Sequence, residues 1–365
     1  MPPFHVVVLP ESFIKFSDRK PASVVDGRRL LRVTTRHSLH APSTAMNVLR
    51  SLALVLASLS TVAFAQANYP DRPIRFIVPF TAGSGTDIIA RMLGEQLSKS
   101  LKQPVIVENR PGAGGTLGAA LVAKSAPDGY TLLVHSAGHV ANPGMYANLS
   151  YDTLKDFAGV APLASLPNVL VVSPSKGYGT VQDLVERARA KPGELNYATA
   201  GLGSATHMNT EIFRASAGFD ATHVPFKGTP EALTETATGR VDFFFAPLSS
   251  ALPFIKEGRL KALAVGTIAR SPLLPDVPTT VEAGYAGSDY VFWVALLAPA
   301  ATPRAIVDRL NAEAIRALHS PEAREKLAVL GAEPMSMTPA AFDAFLRRET
   351  ERMTLVIKKA GIKAQ

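Results

Sequence analysis

The sequence predicts an α/β protein of two sheet-and-helix units with largely parallel strands and a cleft between them. Three observations carry this. From Tyr69 onward, short apolar runs alternate with segments of helical period. The stretches between them are brief and rich in Gly, Pro, Ser and Thr. The length that follows suits two units of about 100 residues each better than one sheet.

The first unit opens on a strand over 74–79, a small-residue loop Thr81–Gly85 and a helix over 86–101. Ile88, Ile89, Met92, Leu93 and Leu97 recur at helical spacing, with Arg91, Glu95 and Gln96 on other faces. Thr86 and Asp87 suit the start of that helix, where an acid favours the dipole. Strands over 104–108 and 130–135 and a helix over 115–125 follow. Gly159–Pro174 has strand character on both sides of Leu166-Pro167, as a chain passing between two domains would. The second unit reads as strand 168–173, helix 180–190, strand 195–199, helix 205–217, strand 221–225, helix 229–238, strand 241–246 and strand Leu260–Gly266. A return crossing between Thr267 and Asp289 brings Tyr290–Ala298, the most apolar run, back beside the first sheet, with Trp293 in its core. Helices over 303–318, 321–330 and 339–360 open at Thr302-Pro303, Ser320-Pro321 and Thr338-Pro339. The first lobe is then 69–166 plus about 286–335, and the second is 167–285 plus the C-terminal helix 336–365. Two crossings imply a hinge.

Charge separates the N-terminus from the rest. Residues 1–65 hold eight Lys/Arg against three acids, leaving 30 basic and 27 acidic residues over 66–365. The formal +8 of the whole chain is therefore no nucleic-acid footprint. Met46-Asn-Val-Leu-Arg50, the apolar Ser51–Leu59 and Ala63-Phe-Ala65 have the form of a secretory signal over 46–65, cleaved after Ala65. The apolar run is too short to span a bilayer, which takes about 20 residues. The expected location is the periplasm. Residues 1–45 show no helical or strand period and read as an untranslated or disordered leader, with translation starting at Met46. With no cysteine, disulfides, thiolate nucleophiles, iron–sulfur clusters and the common zinc sites are excluded.

Four loops follow strand ends: Thr81–Asp87 (TAGSGTD), Ser136–His139 (SAGH), Ala200–His207 (AGLGSATH) and Ala246–Ser250 (APLSS). Ligands of parallel α/β sheets bind outside the carboxyl ends of strands, so all four can line one inter-lobe cleft. They offer backbone N–H groups, hydroxyls and imidazole, with no converging Arg or Lys, which suits a modest anionic or polar ligand. Each loop alone is also what an ordinary turn needs. Enzyme motifs fail. Ala82 stands where a nucleophile elbow around Ser84 needs glycine, Thr206 replaces the third glycine of a dinucleotide fingerprint, and Pro111-Gly-Ala-Gly-Gly-Thr116 lacks the P-loop ending. His135 and His139 are four apart but sit at a strand end and turn without a third ligand. Asp87 reads as a cap rather than a catalytic acid. Lys227-Gly228 is either a cleft residue pair or an exposed turn.

Several segments in order resemble one family: YPDRPIRFIVPFTAGSGTDIIAR, VENRPGAGGTLGAALVAKSAPDGYTLL, LNYATAGLGSATH, HVPFKGTPEALTETATGRVDFFFAPLSSALPFIKEGRLKALAV and LLAPAATPRAIVDRLNAE. They are similar to the periplasmic receptors of tripartite tricarboxylate transporters, the "Bordetella uptake gene" type, from about Tyr69 to the C-terminus. The resemblance implies a two-lobed type II periplasmic-binding-protein fold, two parallel or mixed sheets flanked by helices with a hinged cleft. It implies a receptor, not an enzyme, that holds a small carboxylate by backbone amides and waters and works with membrane translocator subunits. No cofactor, metal or nucleic acid is expected, and a monomer is. The ligand positions it implies are Phe80, Ala82, Gly83, Ser84, Thr86 and Asp87; Ser136, Ala137 and His139; Ala200, Gly201, Ser204 and His207; and Ala246, Leu248 and Ser249. His135-Ser136 departs from the family's more usual Gly-Thr, and Ala246 from its frequent Asp, which implies a ligand without an amino group. A ligand sensor for a membrane signalling partner and, further off, a secreted enzyme using Ser84 or Asp87 are the rival readings.

Overall fold

Ile74–Val78 (β1), IRFIV, buries four of its five residues, as a strand covered on both faces must. It pairs in parallel with Val105–Asn109 (β2) and Thr131–Ser136 (β3). The computed structural model that shows this describes residues 69–359, 361, 362 and 364. The expected leader 1–45 and signal 46–65 lie outside the described residues.

Between the strands run Gly85–Leu101 (α1) and Thr116–Ala123 (α2), and Gly138–Met145 (α3) follows β3. Phe292–Pro299 (β10) joins the sheet antiparallel to β3 and to Phe157–Leu166 (β4), and Glu333–Pro334 (β11) closes the far edge. The six-stranded order is β11-β4-β10-β3-β1-β2. Two further helices, Arg304–Leu318 (α8) and Pro321–Val329 (α9), follow β10, and Pro339–Lys359 (α10) ends the chain.

The second sheet has five strands in another order. It is built from Asn168–Val172 (β5), Asn196–Thr199 (β6), Thr222–Pro225 (β7), Phe243–Pro247 (β8) and Lys261–Val265 (β9), arranged β7-β6-β8-β5-β9. β6 runs parallel to β7 and β8, whereas β5 is antiparallel to β8 and β9. Val181–Ala190 (α4), Ala205–Ala217 (α5), Thr229–Ala237 (α6) and Leu248–Lys256 (α7) cover it. The alternation of strand side chains explains the Phe243-Phe244-Phe245 run. Phe243 and Phe245 join one core with Tyr197 and Phe213, and Phe244 joins the other with Val169 and Val171.

The sheets are joined twice. β4 ends at Leu166 and β5 begins at Asn168, with Pro167 alone between them. Residues 266–291 make the return, and the two crossings bond to each other. Gly266 N donates to Asn168 O at 2.8 Å, and Tyr290 N donates to Gly266 O at 2.7 Å.

Three expectations need correction. The C-terminal helix belongs to the first lobe, not the second. Phe342, Leu346, Met353 and Ile357 of α10 sit in the same core as Trp293, and Gly159 N of β4 donates to Asp343 Oδ1 at 2.8 Å. Helical period showed that α10 buries a face but not which face receives it; the β4–β10 pair does. The segment at Ser136–His139 continues into a helix, α3, despite Pro143, and the Ala246–Ser250 loop is the end of β8 and the start of α7, despite Pro253. Among the described residues, no helix is long and apolar enough to cross a membrane.

Candidate ligand-binding cleft

The lobes meet along a seam at the carboxyl ends of their strands. Thr81 Oγ1 donates to Glu231 Oε2 at 2.9 Å, Ser250 Oγ to Gly83 O at 3.0 Å, Thr229 N to Ser84 Oγ at 3.2 Å, and Tyr146 OH to Leu202 O at 2.8 Å. Two glycines permit this approach. A Cβ on Gly114, which has φ +58°, would overlap the Leu202 carbonyl oxygen. One on Gly228 would overlap Thr81 Oγ1, although that backbone is extended and unstrained. The PGAGG segment that fails as a phosphate loop is thus the ledge on which the second lobe rests.

Behind the seam is a small cavity of about 10 Å³, the room of roughly one water. Its wall holds Phe80, Ser84, Gly85 and Thr86 from the first loop and Ser136 from β3. From the other lobe it holds Ala200, Ser204, Ala205 and Thr206. The first turns of α1 and α5 therefore face one space. Ser84 occupies the N-cap of α1, but its hydroxyl does not cap the helix; it accepts the Thr229 N–H instead. The first-turn N–H groups of α1 are left to whatever occupies the cleft, at the positive end of the dipole. In α5, Ser204 Oγ accepts from His207 N at 3.3 Å, and Thr206 Oγ1 accepts from Ala200 N at 2.9 Å, which ties down the loop.

Six of the expected site residues thus line the cavity: Phe80, Ser84, Thr86, Ser136, Ala200 and Ser204. Ala82 and Gly83 are exposed at the seam, and Gly201 is buried there against Gly114. Ser249 is buried beside Gly85, its hydroxyl without a partner.

The remaining six do other work. The Asp87 carboxylate is a clamp within the first lobe, accepting from Gly83 N at 2.9 Å, Arg91 Nε at 3.0 Å and Asn109 Nδ2 at 2.8 Å. Ala137 N–H is spent on Trp293 O at 2.9 Å. His139 is fully buried among His135, Tyr151 and Phe157, and burial holds its imidazole well below the usual range. His207 Nδ1 accepts from Gly203 N at 3.3 Å while its ring stacks on His223, 4.3 Å between centroids; burial pushes the two down to about 4 and about 3. Ala246 and Leu248 are fully buried in the core of the second lobe, so the inference that Ala246 selects against an ammonium loses its residue.

Gly85, Ala205, Thr206 and Pro247 also line the cavity, each within a loop the sequence placed at the cleft, whereas Thr229 and Phe292 line it without having been expected from the sequence. Thr229 carried a signal: it follows Lys227-Gly228 and precedes Pro230, a helix start after a strand. Phe292 had none, since it opens an apolar strand. Among the described residues, no Arg or Lys lines the cavity. Among the described residues, no group of three His, Asp or Glu is placed to hold a metal.

Residues 89–362 match the family model described as tripartite tricarboxylate transporter family receptor, TctC. The chain belongs to that family. It is 36% identical to protein BugT of Bordetella pertussis over 87% of this chain and 99% of that one. Among solved structures it is similar to Rpa4515 of R. palustris with adipate, at 36% identity and TM-score 0.78, covering 81% of this chain and 100% of that one. It is also similar to MatC from Rhodopseudomonas palustris with bound malate, at 36% identity and TM-score 0.76, covering 79% and 100%. This receptor therefore has a two-lobed periplasmic-binding-protein fold and belongs with solute-binding proteins rather than enzymes.

Proposed function

We propose that this receptor captures a small carboxylate between the first turns of α1 and α5 and delivers it to the membrane translocator subunits of a tripartite transporter. One observation carries the reading: two helix N-termini from different lobes line a single cavity whose wall, among the described residues, has no cationic side chain. A carboxylate on α1 meets Gly85 and Thr86, and the Asp87 charge beneath them is balanced by Arg91. The adipate and malate held by two relatives fit such a donor set. A cavity of about 10 Å³ is far smaller than either molecule, so loading takes place with the lobes apart. The contacts made to both lobes then favour closure. Export through the 46–65 signal, with cleavage after Ala65, places the receptor in the periplasm.

Native mass spectrometry of the exported receptor, followed by a thermal-shift panel of mono- and dicarboxylates, tests this. A ligand at about a hundred times its dissociation constant adds roughly 2.7 kcal/mol of stability. If no carboxylate raises the melting temperature, the reading fails.

A further inference from the structure

Ser84 stands at the start of one helix and bonds to another. Its backbone, φ −66° and ψ 152°, is that of a capping residue. Ser204 before α5 (φ −63°, ψ 160°) and Ser320 before α9 (φ −63°, ψ 148°) share that geometry. Both of their hydroxyls accept the N–H three residues on, from His207 and Ala323, and Thr180 does the same for Asp183 at α4. Ser84 has Asp87 at the same spacing, yet its hydroxyl accepts from Thr229 N at 3.2 Å instead. The backbone already suits a cap, so a rotation about Cα–Cβ is all that separates the two positions.

The acceptor that Ser84 supplies is one that α6 lacks. The N-cap of α6 is Gly228, which has no side chain, and Pro230 after Thr229 has no N–H. Gly228 is buried, and a Cβ there would come within 2.8 Å of Ser84 Oγ. The missing side chain therefore leaves the room that a serine of the other lobe fills. Lys227 beside it is exposed, so the two sequence readings of Lys227-Gly228 divide between the residues. Ser84 and Thr229 are each only 2% exposed, and a bond lost there leaves a buried group unanswered.

We propose that Ser84 is a cap shared between the lobes, which couples closure to the arrival of an anion. This rests on the reading of the inner cleft as a carboxylate site. With the lobes apart, the hydroxyl accepts from Asp87 N and satisfies the first turn of α1. A carboxylate reaching that turn competes for the same N–H groups and takes over the duty. Ser84 is then released to accept from Thr229 as the second lobe comes down. Without an anion, closure leaves either α1 or α6 with a buried N–H unpaired, which penalises the empty closed form. One hydroxyl thereby makes the closed receptor a loaded one.

Amide hydrogen exchange read by NMR on the full receptor tests this at Asp87 and Thr229, with acetate, malate and adipate in turn as probes. In the ligand-free wild type, Asp87 N–H is expected to exchange at least about fivefold more slowly than in Ser84→Ala, as one hydrogen bond gives. In the loaded form that difference between the two proteins leaves Asp87 and moves to Thr229. A serine that merely stabilised the loop would not move it. Ser84→Thr, which keeps the hydroxyl, should follow the wild type. Gly228→Ala blocks only the bond across the lobes, so Asp87 stays protected without ligand while Thr229 gains nothing from Ser84. The shared cap is refuted if a probe binds and the difference stays at one residue in both forms, or is absent. If none of the three acids binds the wild type, the inner-cleft reading falls and the coupling with it.

Discussion

Gly114→Ala puts closure itself to the test. Gly114 has φ +58° and ψ +21°, and a Cβ there would overlap the Leu202 carbonyl oxygen and come within 2.9 Å of both the Leu202 carbonyl carbon and the Tyr146 hydroxyl. The left-handed backbone costs an alanine about 1–2 kcal/mol whether the lobes are open or closed, so it lowers stability without touching affinity. The overlap acts only on closure. Relieving it moves the second lobe back by about 1 Å or more, which breaks the Tyr146–Leu202 bond, worth about 1 kcal/mol net. It also loosens the Gly201–Gly114 approach. Together these place the loss of ligand affinity at no less than about fivefold. Calorimetry gives the affinity, and small-angle scattering with saturating ligand gives the compactness, which should fall short of that of the liganded wild type. An alanine variant that binds as tightly as wild type and compacts as fully would refute the claim that Gly114 is where the lobes meet.

Other outcomes follow from the packing and the buried charges. Phe342→Ala empties a fully buried site over Gly159, beside Trp293, and should cost about 3–5 kcal/mol in a urea melt with ligand affinity nearly unchanged. A cost below about 1 kcal/mol would mean that α10 is not docked on the first lobe. Asp87→Asn cannot satisfy Gly83 N, Arg91 and Asn109 at once. With Arg91 half exposed, a loss of about 1–2 kcal/mol and weaker ligand binding are expected, read by thermal melting and calorimetry. His135 and His207 are held at about 4 and His223 at about 3, against an ordinary 6.5. The unfolded chain takes up these protons first, so stability is full above pH 6.5 and falls as pH drops toward 4. The slope reaches about 1.4 kcal/mol per pH unit for each histidine that titrates only on unfolding. His223→Gln should flatten denaturant midpoints measured between pH 7 and 4.5, and an unchanged slope would remove His223 from this account.

Strands and long helices are legible in this sequence because their apolar periods are strong. Phe243–Phe245 and Phe292–Ala298 can only be buried strands, and the Thr-Pro and Ser-Pro starts mark the C-terminal helices. Two helices hide behind their own breakers. GHVANPGM holds Pro143 and Gly144, and LSSALPFIK holds Pro253, each in a segment of eight or nine residues whose packing outweighs propensity. The partner of α10 is invisible for another reason: a helical stripe states that a face is buried, not what lies opposite. The same holds at the site. Strand-end position shows which loops reach the cleft, but side-chain direction within a loop is set by contacts distant in sequence. Asp87 turns inward to Asn109, and His207 turns to His223, a partner sixteen residues on. Ser84 and Thr229, 145 residues apart, become neighbours only when the lobes meet.

The two inter-lobe crossings bear on how this receptor can be watched. They are stitched together at Asn168, Gly266 and Tyr290, and Pro167 leaves no slack between β4 and β5. Two cords tied at one knot resist the sliding of one lobe past the other, so opening is expected as a swing. One spectroscopic ruler across the lobes then reports that swing. The chain contains no cysteine, so thiols introduced at exposed Lys124 and Lys256, one on each lobe, would carry the two dyes with no background labelling.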